Sequence, residues 1–215
     1  TDIIEISNED ELISFANSCR NDSYSFGRKV KLTSDISITK DGFEGIAYFN
    51  GTFDGGNHTI RNLNKEYIGS DYGFFRYLGE DAYVYNLSVS GTITASGSQK
   101  KIAGVNYGTI SNCAYVGKLS GGTAAGGIAG VNKAGARLIN CNSDADISAT
   151  NQTGGIAGNN QGIISGCISR SKVNTNELNS SFDIGGVDVG TLNITQHVVD
   201  RNDMGGIAGY STGVI

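Results

Sequence analysis

The side chains best suited to chemistry recur at matched spacing along three neighbouring stretches. Asp144 and Asp146 alternate along one, Arg170 and Lys172 along the next, and Lys118 along the one before. Acids and bases on a common face can move protons at a sugar linkage, which is how polysaccharide-cleaving enzymes use their carboxylates. The ordinary reading is cross-strand ion pairing on a solvated sheet, worth well under about 1 kcal/mol per pair. We adopt the ordinary reading. No catalytic residue is assigned, and these five stand as candidate binding residues.

Other reactive groups also read as structure. Cys113, Cys141 and Cys167 are 28 and 26 residues apart, a spacing that fits neither a zinc site nor a compact disulfide framework. They read as small buried residues, although a disulfide between neighbours about 5 Å apart is sterically conceivable. Calcium is an open alternative at Asp54, or at Asp183 and Asp188, which lie near glycines and carbonyls, although no calcium loop pattern is present. Phe53-Asp-Gly-Gly-Asn57 reads as a turn, and His58 follows it. No metal or cofactor is expected. Tyrosines crowd the first half at Tyr67, Tyr72, Tyr77, Tyr83, Tyr85 and Tyr107. An exposed tyrosine can stack on a sugar or anchor a protein, so Tyr107 joins the candidate binding residues.

What must position these groups is a repeat. Ile-Ala-Gly recurs at Ile102, Ile128, Ile156 and Ile207, the last three copies preceded by Gly-Gly. A related Gly185-Gly186-Val187 lies between the last two. An apolar residue and then a cysteine follow each of the first three copies, as in Ile110-Ser-Asn-Cys113, Leu138-Ile-Asn-Cys141 and Ile164-Ser-Gly-Cys167. The frame extends back to Val84-Tyr-Asn-Leu87 and Ile60-Arg-Asn-Leu63, and a weaker copy lies at Asn193-Ile194. Each repeat continues with strand alternation. Leu87, Val89 and Ile93 share one parity, as do Cys113, Tyr115 and Leu119, while Asn142, Asp144 and Asp146 hold the other. A unit this short cannot bury its own apolar face, so successive units must stack. Gly-rich alternating segments exclude helical repeats. The expected fold is therefore all-β: a right-handed parallel β-helix.

Two internal columns are predicted: Leu63, Leu87, Cys113, Cys141, Cys167, and Ile93, Leu119, Ile147, Val173. The residues before the first column are Asn62, Asn86, Asn112, Asn140 and Gly166. Asparagine tolerates the left-handed conformation and can bond to its counterpart in the next coil, so an asparagine ladder is expected there. In this register Asp144 lies beside Arg170, and Asp146 between Lys118 and Lys172.

Residues 1–48 are expected to form an N-terminal cap of helix and strands, and residues 49–215 the repeats. Ser7 is the predicted helix N-cap, with Glu9 and Asp10 in the first turn. Leu12, Phe15, Ala16 and Cys19 form the apolar stripe. Residues 174–203 break the period, so a projecting loop is expected. Ile215 falls where Ile110 falls in its own repeat, which suggests that the repeats continue in a longer protein or are covered by another domain.

Composition narrows function. The chain has 215 residues, 32 glycines, no proline or tryptophan, and a net charge of −5. That sign argues against a nucleic-acid partner. No apolar run is long enough to cross a membrane. No signal peptide is read, as expected of a mature fragment or an intracellular chain.

The run Phe49-Asn-Gly-Thr-Phe-Asp-Gly-Gly-Asn-His-Thr-Ile-Arg-Asn-Leu63, followed by repeated Gly-Gly-Ile-Ala-Gly, resembles the GLUG-repeat proteins of bacterial surfaces. It also resembles the β-helical domain beside the catalytic domain of immunoglobulin A1 metallopeptidases, and Ile6–Ile38 looks like the usual lead-in to such domains. The resemblance implies a secreted or wall-attached, modular bacterial protein. The metallopeptidase needs a His-Glu-x-x-His helix. His58 and His197 are not in that setting, so proteolysis is not carried over. The paired aspartates and histidine of β-helix polysaccharide hydrolases find no match either. The expected function is a non-catalytic binding, adhesion or spacer module. Its partners would be a host glycan or protein and other domains of a larger chain. The alternatives are an accessory exosite domain of a metallopeptidase and a polysaccharide-cleaving enzyme.

Overall fold

The computed structural model describes residues 2–67, 73–95, 102–121, 124–173 and 204–215. Among them the chain winds as a parallel β-helix whose coils cross three long sheets in turn. Sheet A has seven strands, from Ile3–Ile6 to Ile163–Ser165. Sheet B has eight, including Ser88–Ala95, Ala114–Ser120 and Asn142–Ser148. Sheet C has six: Ile46–Phe49, Phe75–Leu78, Ala103–Asn106, Ala129–Asn132, Ala157–Asn160 and Ala208–Ser211. Three two-residue strands, Ala125–Gly126, Thr153–Gly154 and Met204–Gly205, form a small fourth sheet.

Alternation is what drives this winding. Inward Val89, Ile93, Cys113, Tyr115, Leu119, Cys141 and Ile147 are buried, and outward Val116, Lys118, Asp144 and Asp146 are exposed. Ile93, Leu119, Ile147 and Val173 stack in register, as do Leu87, Cys113, Cys141 and Cys167. The inward set includes Ser143, because Gly127 faces it across a thin part of the tube; a Cβ on Gly127 would strike the Ser143 hydroxyl. The Gly-Gly pairs serve close approach. A Cβ on Gly126 would collide with the backbone of Ala157 and Gly158 in the next coil, and one on Gly154 with that of Ala208 and Gly209.

Three expectations need correction. Leu63 is not in the cysteine column. Val89 pairs with Ile60, and the Leu63 N–H donates to the Ser90 carbonyl, which puts Leu63 beside Gly91. Phe53, not Ile60, pairs with Val84. Extra residues around Gly55-Gly56 and Asn62–Asn64 absorb the difference.

The left-handed corner therefore begins at Asn57 and continues through Asn86, Asn112, Asn140 and Gly166; Asn62 is left-handed too but sits elsewhere. No amide–amide bond joins this corner among the described residues. The bonded ladder lies at the end of the sheet C strands instead. Asn106 Nδ2 donates to Asn132 Oδ1 (2.9 Å), Asn132 Nδ2 to Asn160 Oδ1 (2.8 Å), and Asn160 Nδ2 to Ser211 Oγ (3.1 Å).

The third correction is the helix cap. Helix Glu9–Ser18 is capped by Asn8, whose side chain accepts from the Glu11 N–H at 3.0 Å. Ser7 instead donates from its N–H to the Glu11 carboxylate (2.7 Å). Leu12, Phe15 and Ala16 are buried, and the Phe15 ring meets Phe49 edge-on at 6.2 Å. Strands before residue 49 extend the same sheets A, B and C, so the sheets have no break at residue 48.

Ala157–Asn160 pairs directly with Ala208–Ser211, so Asn160 and Ser211 are neighbours across the sheet although 51 residues apart in sequence. The sequence features at Asp183, Gly185–Val187, Asp188, Asn193-Ile194 and His197 lie outside the described residues, as does Tyr72. The exposed Ile215 follows Val214, which bridges to Ile163, so it does occupy the position of Ile110.

Candidate functional site

The charged residues fall where the alternation places them. On the outer face of sheet B, Val116, Asp144 and Arg170 form one column, and Lys118, Asp146 and Lys172 the next. All are exposed. No ion pair joins the five among the described residues; ion pairs elsewhere include Lys40–Asp10, Arg61–Asp35 and Lys65–Glu44. All five lie on one outward face of sheet B, open to solvent.

Tyr107 is elsewhere. It follows the strand Ala103–Asn106, at the corner where sheet C gives way to sheet A. Register stacks Phe49, Leu78 and Asn106, so the residues after them, Asn50, Gly79 and Tyr107, share that corner. Corner and neighbouring turns enclose a groove of about 380 Å³. Its walls are the rings of Phe26, Tyr48 and Tyr107. Phe26 is 55% exposed and Tyr107 41%, and the Phe26 and Tyr48 centroids are 6.2 Å apart.

The floor of the groove is built, not incidental. Asn50 is buried, its Oδ1 accepting the Asp81 N–H (2.9 Å) and its Nδ2 donating to the Asp81 carboxylate (3.4 Å), which fixes that carboxylate at the rim beside Glu80. A Cβ on Gly79 would strike Asn50 Oδ1 and the Tyr48 hydroxyl, so the bare backbone there makes room for both. Burial raises the Tyr48 phenol above its ordinary value, and the carboxylates of Asp22, Asp81 and Glu80 raise it further. Of the groove's lining, the sequence pointed to Tyr107 and not to Phe26, Tyr48, Asn50, Glu80 or Asp81. The signal for the corner was the run after two of the sheet C strands, Phe49-Asn-Gly and Asn106-Tyr-Gly. Phe26 and the carboxylates come from turns of unequal length, which no repeat aligns.

A second, more polar cleft of about 430 Å³ runs past Lys31, Asp54 and His58. Asp54 Oδ1 accepts the Gly56 N–H at 2.8 Å, as a turn residue does. Asp35 holds Arg61 (2.8 Å) and the Thr59 N–H (3.0 Å), with His58 Nδ1 at 3.3 Å. Tyr83 and Tyr85 stack on each other at 4.8 Å on sheet A.

No family model matches the sequence. An alignment 132 positions long, covering 56% of this chain, is 28% identical to halomucin of Haloquadratum walsbyi, of which it spans 1%. A solved chain from Bacteroides ovatus, described as a candidate immunoglobulin A1 protease, matches 98% of this chain with a TM-score of 0.65 and 21% identity. The match spans 63% of that chain, so this sequence covers less than two thirds of either protein. What is shared is the β-solenoid. At that identity the likeness is one of fold, and the groove must be argued from its own residues.

The cysteines differ in burial. All four thiols are free, with Cys19, Cys113 and Cys141 buried and Cys167 half-buried. Burial pushes the Cys19 and Cys113 thiols up to about 12. Cys141 is raised by its hydrogen bond to Cys167 and by burial. Cys167 is held down, chiefly by the hydrogen bond from Cys141, and is the least buried of the four. Only the thiolate attacks a disulfide reagent. An aromatic disulfide at pH 8 is therefore expected to label one thiol quickly and three only on unfolding, and Cys167→Ser should remove the fast phase. Fast labelling that persists in Cys167→Ser would place a second cysteine at the surface.

Proposed function

We propose that this chain is a non-catalytic, extracellular binding or spacer module of a bacterial surface protein, and that the corner groove is where it binds. The observation that carries this reading is the groove itself: exposed aromatic rings over a hydrogen-bonded floor. Isolated exposed apolar residues are ordinary, but rings gathered in one concavity mark an interaction site. The likeness to halomucin supports a surface or extracellular setting, as does reading the Gly-Gly-Ile-Ala-Gly copies as GLUG repeats. Partners on this reading are a host protein or glycan and the other domains of a larger chain. Nucleic acid is not one, given the net charge of −5. Among the described residues no helix is long and apolar enough to cross a membrane.

The test is to probe arrays of host glycans and proteins with the purified chain and with Phe26→Ala/Tyr107→Ala. Retained binding by the parent, lost in the variant, is the expected result. Binding that survives the double change would move the site away from the groove, and no binding at any concentration would leave spacing alone. Turnover of uronate polymers that disappears when Asp144, Asp146 and Lys172 become Ala would overturn the non-catalytic reading. The candidate protease among the solved structures favours one second reading, an accessory domain beside a peptidase. A His-Glu-x-x-His helix elsewhere in the same gene product would decide for it.

A further inference from the structure

We propose that the corner groove takes the side chain of a lysine or arginine presented by a protein partner. This rests on the reading of the groove as the binding site, and it names the chemistry of the occupant.

The argument is one of donors, acceptors and sign. Three aromatic rings, Phe26, Tyr48 and Tyr107, line the groove, and the face of each carries negative quadrupole charge that attracts a cation. Glu80 and Asp81 add two carboxylates at the rim, and Asp22 lies within electrostatic reach of the Tyr48 hydroxyl. No lysine, arginine or histidine lines it. The nearby Arg28 is engaged elsewhere, its guanidinium 4.2 Å from the Tyr24 ring centroid and its Nε donated to the Tyr24 carbonyl.

Most backbone donors in the groove are already taken. The N–H groups of Phe26, Asn50, Gly79, Asp81 and Tyr107 all bond within the protein, and so does the Asn50 amide. A sugar hydroxyl both donates and accepts, so it needs both kinds of partner. An ammonium or guanidinium only donates. The phenol hydroxyls of Tyr48 and Tyr107 can still donate as well as accept, so what favours the cation is the pairing of aromatic faces with the Glu80 and Asp81 carboxylates and the lack of any cationic side chain in the lining.

The experiment uses the full 215-residue chain, titrated by calorimetry with an acetylated, amidated peptide rich in arginine and lysine. The matched peptide with citrulline and norleucine in their place, and a neutral chito-oligosaccharide, are the controls. The basic peptide should bind saturably and weaken several-fold between about 50 and 500 mM salt, as exposed charge attraction does. Tyr107→Ala and Glu80→Gln should each weaken it by about threefold to fivefold, with melting curves matching the parent. Asp144→Asn/Asp146→Asn, on the sheet B wall, should leave binding unchanged. Binding lost in the sheet B variant and kept in Tyr107→Ala overturns the proposal, as does equal affinity for the uncharged peptide or no binding of the basic one. Salt-independent binding of the oligosaccharide, abolished by Tyr107→Ala, would overturn the cationic occupant while keeping the groove as a binding site.

Discussion

Ile128→Asp is expected to abolish the cooperative melt of the middle coils, while Lys118→Ala leaves the curve within about 0.5 kcal/mol of the parent. Ile128 is fully buried, in a column with Ile102 and Ile156. Its backbone is tied to both neighbours: the Ile102 N–H donates to the Ile128 carbonyl at 3.2 Å, and the Ile128 N–H to the Ile156 carbonyl at 2.9 Å. The change removes an apolar burial worth roughly 1.5–3 kcal/mol. It also puts an unpaired carboxylate where there is no water, or forces it to stay protonated, at several kcal/mol more. Together these rival the total stability of about 5–15 kcal/mol typical of a domain. Solenoid stability is a nearest-neighbour sum, so the coils built on residues 124–173 should be lost together. Ile128→Val should cost only about 0.5–1.5 kcal/mol. Circular dichroism melts with limited proteolysis read all three. Matching melts for Ile128→Asp and Lys118→Ala would mean the inward assignment is wrong.

The interior was legible because parity within a strand and spacing between strands encode it twice. Ile93, Leu119, Ile147 and Val173 announce a column by type, and the register obeys. What misled was likeness of local motif. Ile60-Arg-Asn-Leu63 copies Val84-Tyr-Asn-Leu87 in residue type, yet inserted residues slide it out of register, and Asn57 takes the corner instead of Asn62. The corner asparagines were chosen for their backbone. Asn57, Asn112 and Asn140 are exposed, so water satisfies their amides and they need no ladder. Asn106, Asn132 and Asn160 are fully buried, where an amide must find protein partners.

The groove was illegible for a related reason. Strands repeat because coils must stack, but turns need only reconnect them. Phe26, Glu80 and Asp81 sit in turns whose lengths differ from coil to coil, and only folding brings them to Tyr107. Sheet B carried the repeating charges that sequence reading could see, and these form a solvated wall. In a solenoid the regular positions specify the tube, and the irregular ones are free to specify what it binds.

That division makes the buried ladder the sharper test of the fold. Asn132→Leu is expected to destabilise the chain by about 3–5 kcal/mol, although leucine is closer to the apolar core in character. Asn132 serves three coils at once. Its Oδ1 accepts from Asn106, and its Nδ2 donates to Asn160 Oδ1 and, at 3.3 Å, to the Ile163 carbonyl. Leucine leaves Asn160 Oδ1 without its donor and Asn106 Nδ2 without one of its acceptors, both out of reach of water. Each stranded group costs about 1–3 kcal/mol, and the gain in apolar burial offsets only part. Asn112→Ala, at the exposed corner, loses no buried bond and should cost about 1–2 kcal/mol, through the left-handed backbone alone. Urea unfolding of both variants gives the comparison. The ladder is refuted as the clamp between coils if Asn112→Ala proves the more damaging change, because the amides would then be ornaments on a tube held by its aliphatic columns.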